Sequence, residues 1–128
     1  MTDAVRDPAV QALRDLGRQL DRTMADLSEA RRRVDQLEQL RARGLSWHEI
    51  VTQEERPLVV EALTRALDDL GTVGGRFRRE EARALQREEV SITRIGKLFG
   101  VSRQRVSAIL HEAPRPPRPP GEGVSAGR

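Results

Sequence analysis

The 128-residue chain has no cysteine, one lysine and three aromatic residues, Trp47, Phe77 and Phe99. Without cysteine there is no disulfide framework and no thiolate metal site. The two histidines, His48 and His111, stand too far apart for ligand-type spacing, so no metal and no cofactor is expected. No apolar run approaches the ~18 residues of a membrane span, and the first eight residues lack a signal-peptide core. The expectation is a soluble cytoplasmic protein with no contact to membrane. Apolar residues make up 37% of the chain, which is thin for a compact globule. Strand-favouring residues are scattered and nothing alternates with period two. An all-α chain with an elongated part fits, because a long helix needs only an apolar stripe.

What is present divides the chain into four. Residues 1–43 form the first unit, a long helix opened by Asp7 as N-cap and Pro8 in the first turn, and stopped by Gly44. Leu13, Leu20, Leu27 and Val34 recur every seven residues, and Leu16, Thr23, Ala30 and Leu37 follow them at the second heptad position. Two arrangements satisfy this pattern. In a parallel coiled-coil homodimer, Leu13, Leu16, Leu20, Leu27, Val34 and Leu37 form the dimerisation seam, with Asp26 facing Arg31 and Arg33 facing Glu38. Alternatively the helix folds back on its own chain, with Met24 and Leu40 widening the stripe.

Residues 44–75 form an acidic connector, with 2 Arg against 6 acids. It reads as a short helix carrying Trp47 and Ile50 as core plugs, then a capping-box pattern at 52–55. A middle helix follows to about Leu70, with Val60, Leu63 and Leu67 on one face. Gly71-Thr-Val-Gly-Gly75 reads as a break and a hinge. Residues 113–128 form the last unit, whose proline-rich composition predicts a disordered tail.

The informative unit is 76–112. Residues 76–111 carry 9 Arg and Lys against 4 acids, an electrostatic footprint for nucleic acid. Three helices are readable, over about 77–89, 92–99 and 102–111. Ser91 and Ser102 are placed to cap the second and third. Gly100 suits a left-handed turn, and Gly96 lies where two helices must cross closely. Ile95, Phe99, Val106, Ile109 and Leu110 supply a small core, Ala82 and Leu85 close it, and Val101 points in from the turn.

The run from Ala84 to Leu110, and most specifically Phe99-Gly-Val-Ser-Arg-x-x-Val-Ser-x-Ile-Leu110, resembles the DNA-binding modules of site-specific resolvases and invertases. It is also similar to region four of bacterial sigma factors and related small transcriptional regulators. The resemblance covers about a quarter of the chain and implies a helix-turn-helix whose third helix enters the major groove. Such modules often have glycine before the Val-Ser step, where this chain has Glu89.

On the third helix Arg103, Gln104, Ser107 and Ala108 face outward once Val106, Ile109 and Leu110 turn in. Arg bonds guanine, Gln bonds adenine and Ala touches a thymine methyl, so these four are the candidate base-reading residues. Ser91, Thr93, Arg94, Lys97, Ser102, Arg105, Arg78 and Arg79 are candidate phosphate contacts, and Arg76 adds to them. The function implied is a sequence-specific, double-stranded-DNA-binding transcriptional regulator, homodimeric and nucleoid-associated. The rival is an interaction module that docks on RNA polymerase, a sigma factor or another regulator. No nucleophile–base set, phosphate loop or metal cluster points to an enzyme.

Overall fold

A computed structural model describes residues 6–112. The described residues form five helices and no strand: α1 (Pro8–Ala42), α2 (Trp47–Gln53), α3 (Val59–Arg87), α4 (Ile92–Phe99) and α5 (Arg103–His111). The all-α expectation therefore holds, and among the described residues no helix is long and apolar enough to cross a membrane. The proline-rich tail expected at 113–128 lies outside the described residues.

Helix α1 starts as its sequence dictates. The Asp7 carboxylate accepts the Ala9 N–H at 2.9 Å, satisfying one of the donors a helix N-terminus leaves unpaired. It ends before Gly44, whose φ of +97° no other residue type adopts cheaply. Helix α2 opens on a reciprocal capping box at Ser46 and Glu49, with bonds of 3.1 and 2.8 Å. The capping box expected at 52–55 does not form, because that segment is where α2 ends. The Thr52 hydroxyl instead donates back to the His48 carbonyl at 2.6 Å.

Glu54 is used differently. Its carboxylate accepts the Val59 N–H at 2.7 Å and pairs with Arg33 at 3.2 Å. Arg33 also donates to the carbonyls of Glu55 and Pro57, each at 2.9 Å. One largely buried guanidinium thus ties the connector to α1 and helps launch α3. Of the two expected core plugs, Ile50 is buried but Trp47 is 61% exposed. Trp47 lies on the surface with the Arg41 guanidinium 5.2 Å from its ring centre.

Helix α3 corrects the sequence reading most. It runs unbroken through Gly71, Gly74 and Gly75, so the break expected there is absent and the helix is continuous across 75/76. Each helical glycine costs ~1 kcal/mol relative to alanine, but α1 lies alongside and holds this stretch in place. A Cβ at Gly74 would lie 4.0 Å from a Leu16 methyl, and Asp15 is bonded to Arg76 across the two helices.

Helices α1 and α3 form an antiparallel hairpin. Asp15 meets Arg76 at one end, and Arg33 meets Glu54 and Pro57 at the other. The hairpin packing, and not a two-stranded coiled coil, takes up half of the heptad seam. Thr23 and Ala30 are buried and Leu16 and Leu37 half-buried, whereas Leu13, Leu20, Leu27 and Val34 are exposed. Successive heptads of a straight helix turn by about −20°, so the first series stays on one flank. The opposite flank is rimmed by charge: Asp26, Glu29 and Arg33 of α1 and Arg65 and Asp69 of α3 border a groove floored by Ala30, Ala62 and Ala66. Thr23 of the seam and Gln19, a buried polar residue the apolar pattern passed over, bond each other at 3.2 Å within the hairpin.

Candidate nucleic-acid interface

The C-terminal part of α3 joins α4 and α5 in a second core of Ala82, Ile95, Val106, Ile109 and Leu110. Leu85, Val90, Ile92 and Phe99 pack around it. All but Val90 and Ile92 are residues the sequence assigns to it, and the local devices match as well. The Ser91 hydroxyl accepts the Arg94 N–H at 3.1 Å, and the Ser102 hydroxyl accepts the Arg105 N–H at 3.0 Å. Gly100 is left-handed, with φ 72°. Gly96 is buried, and a Cβ there would sit 2.9 Å from the Val101 carbonyl oxygen. The Val101 N–H donates to the Gly96 carbonyl at 2.9 Å, so this turn is stitched to the glycine it presses against. Val101, expected to point in from the turn, is 36% exposed and is not among the residues packed on this core; it meets α4 through its backbone oxygen.

Helix α5 is anchored by Val106, Ile109 and Leu110 and held at its end by Arg83, which donates to the Leu110 carbonyl at 3.3 Å. The Arg83 guanidinium is steadied in turn by Glu80 at 3.2 Å. Arg83 is a positioning residue that sequence reasoning did not single out. Its i, i+3 pairing with Glu80 was legible, but its reach to a residue 27 positions away was not.

Of the expected base-reading set, Arg103, Gln104 and Ala108 are exposed and Ser107 is half-buried. At 100° per residue Gln104 and Ala108 lie opposite Val106. His111, which the sequence reading did not enlist, lies exposed near them with Nδ1 2.8 Å from the Ser107 carbonyl. Of the expected phosphate set, Thr93, Arg94, Lys97 and Arg105 are exposed. Ser91 and Ser102 accept cap bonds and keep their hydroxyl protons as donors. Arg78 is partly committed, with its guanidinium 4.2 Å from the Phe99 ring centre and 3.9 Å from Glu81.

Arg79 is not a surface contact. It is only 6% exposed, and its Nε has no hydrogen-bond partner. It lies on the side of α3 that carries Ala82, one turn away, and so turns into the fold. Arg76, unlike Arg79, is partly exposed, but its guanidinium is engaged by Asp15 of α1. The hydrogen bonds from Arg76 and then Arg18 hold the Asp15 carboxyl below the usual aspartate range.

The charge left over is one-sided. From Val90 to His111 there is no acidic residue, and Arg94, Lys97, Arg103 and Arg105 are all exposed. Among the described residues no group of three His, Asp or Glu stands close enough to hold a metal ion. No protein-family model, no curated protein and no solved structure matches this chain.

Proposed function

We propose that the protein binds double-stranded DNA sequence-specifically, as a transcriptional regulator acting on the bacterial nucleoid. In this reading the end of α3 with α4 and α5 is a helix-turn-helix, and α5 lies in the major groove. The observation that carries it is α5 itself. Its inner side is held by Val106, Ile109 and Leu110, while Arg103, Gln104, Arg105 and Ala108 are exposed on a segment free of acidic residues. A small anchored helix with uncommitted guanidinium and amide groups and no counter-charge suits base edges flanked by phosphates. Arg103, Gln104, Ser107 and Ala108 read bases. Arg94, Lys97, Arg105, Thr93 and the hydroxyls of Ser91 and Ser102 position the backbone.

The test is a selection from a random duplex pool, followed by binding titrations of the selected and a scrambled duplex at several salt concentrations. Replacing Arg103 or Gln104 by Ala costs ~1–3 kcal/mol on the selected site and much less on the scrambled one. Replacing Lys97 or Arg105 by Ala weakens both about equally and lowers the salt slope by roughly one unit each. If no duplex is enriched and no salt-dependent binding is found, the rival stands, in which the chain docks on RNA polymerase, a sigma factor or another regulator.

A further inference from the structure

The hairpin leaves one of its two broad faces uncovered. Leu13, Leu20, Met24 and Leu27 on α1 are between 39% and 66% exposed, and Val60 and Leu67 on α3 are 68% and 56% exposed. They share a face. The residues on the other flanks of α1 and α3 meet in the charge-rimmed groove of Asp26, Glu29, Arg65 and Asp69, so these flanks meet on the opposite side. Leu16, beside Gly74, lies on this apolar side and confirms the pairing. Between Leu13 and Leu27 the α1 side of the face carries no charge, and charge depletion is the compositional mark of an interface centre.

We propose that this face is the docking surface for a second copy of the same chain, two hairpins closing into a four-helix bundle. Its size fits. The span from Leu13 to Val34, interrupted on the α1 side by the charge of Arg31 seven residues beyond Met24, is ~32 Å at 1.5 Å per residue, and two helices ~9 Å apart present a face ~18 Å wide. That is on the order of 600 Å² from each copy and 1,200 Å² in total, at the threshold of a stable specific interface.

Within this sequence, residues 113–128 offer little to cover it, with one large aliphatic residue, Val124, among prolines, glycines and arginines. A two-helix apolar face with a charge-rimmed back is also self-complementary under a twofold axis, as an isologous contact requires. The bundle uses Leu13, Leu20 and Leu27 but leaves Thr23 and Ala30 to the intramolecular contact, so it differs from a two-stranded coiled coil. It does not depend on whether the protein binds DNA.

The experiment uses the full chain without DNA. Sedimentation equilibrium at 5–50 µM (an order-of-magnitude range for such interfaces) is expected to give twice the 14.4 kDa chain mass. The variant Leu20→Glu with Leu67→Glu places charge on residues that are solvent-facing in the single chain. It is expected to keep its helical circular dichroism and sediment as a monomer. A second measurement does not depend on that variant folding. With no cysteine in the chain, Met24→Cys places a lone thiol on the apolar face and Glu29→Cys one on the charge-rimmed face. A short bismaleimide is expected to join two copies through Cys introduced at 24 and not at 29. A wild-type chain of monomer mass throughout, or equal cross-linking at both positions, overturns the proposal.

Discussion

Gly96 offers a sharp test of how the C-terminal core is built. In an ordinary helix interior Gly→Ala is stabilising by ~1 kcal/mol. Here the new methyl carbon would lie 2.9 Å from the Val101 carbonyl oxygen and 3.6 Å from both the Ser102 carbonyl carbon and a Val106 methyl. The short contact is to backbone, so no rotamer change relieves it. Relief requires moving the 100–102 turn, which is held by the Val101 N–H bond to the Gly96 carbonyl and by the Ser102 cap. Overpacking of this kind costs ~1–3 kcal/mol, and weakening one buried hydrogen bond adds ~1 kcal/mol. After subtracting the propensity gain, Gly96→Ala should be destabilising by ~1–3 kcal/mol. Gly75→Ala is the internal control: it is exposed in the interior of α3 with nothing within 4 Å of its added carbon. It should be stabilising by ~0.5–1 kcal/mol. Urea unfolding followed by circular dichroism at one fixed protein concentration reads both. If Gly96→Ala matches or exceeds the wild type, α4 and α5 do not cross as closely as described.

Other perturbations probe the remaining joints. Arg33→Ala should cost ~2–4 kcal/mol in the same unfolding assay, because it leaves the largely buried Glu54 carboxylate without its cation and frees two carbonyls; a loss under 1 kcal/mol would mean the staple is ornamental. Glu89 is exposed with φ 66°, so Glu89→Gly should raise stability by ~0.5–1 kcal/mol, and a loss would show that its side chain contributes a contact. Asp15 is held below the usual range by bonds from Arg76 and Arg18, and Glu49 by the Ser46 N–H and hydroxyl. Depressed carboxylates add stability above their unfolded values and lose it as pH falls through the folded ones. The unfolding midpoint should therefore be flat with respect to these two groups above pH ~5 and decline below ~4, and Asp15→Asn should reduce that decline.

What could be read from sequence was mostly what is decided within a few residues. The caps at Asp7, Ser91 and Ser102, the left-handed Gly100 and the crowding at Gly96 each follow from local chemistry, and each appears in the fold. The core of Ala82, Ile95, Val106, Ile109 and Leu110 followed from helical spacing over a short span. What was not legible depends on partners distant in sequence. Whether the heptad of α1 faces another copy or α3 is not written in α1, since both arrangements want the same stripe. The break expected at 71–75 rested on intrinsic propensity, which the neighbouring α1 overrides. Trp47 was expected inside because it is large and apolar, but α2 is only 7 residues long and buries Ile50 instead. Arg79 looked like its arginine neighbours, and only the rotation of α3 against α4 and α5 separates it from Arg78.

The unbroken α3 changes how the two halves of the molecule relate. Val59 and Ala66 are buried against α1, whereas Ala82 is buried against α4 and α5. Sixteen residues separate Ala66 from Ala82, which at 100° each puts them ~160° apart around one rod. The same helix therefore serves two cores on nearly opposite sides, and its glycines lie where it passes from one to the other. A flexible linker there would let the basic cluster tumble independently of the hairpin. A continuous 29-residue helix, ~43 Å long, instead carries the orientation of the hairpin to α5. Asp15 and Arg76 pin the crossover point from the α1 side, and Arg83 fixes the far end of α5 from the same rod. Any partner that fixes the hairpin in space thereby fixes the exposed side of α5 as well. A chain with so few aromatic residues and so small a core achieves this by sharing one helix between two packings, without building a larger interior.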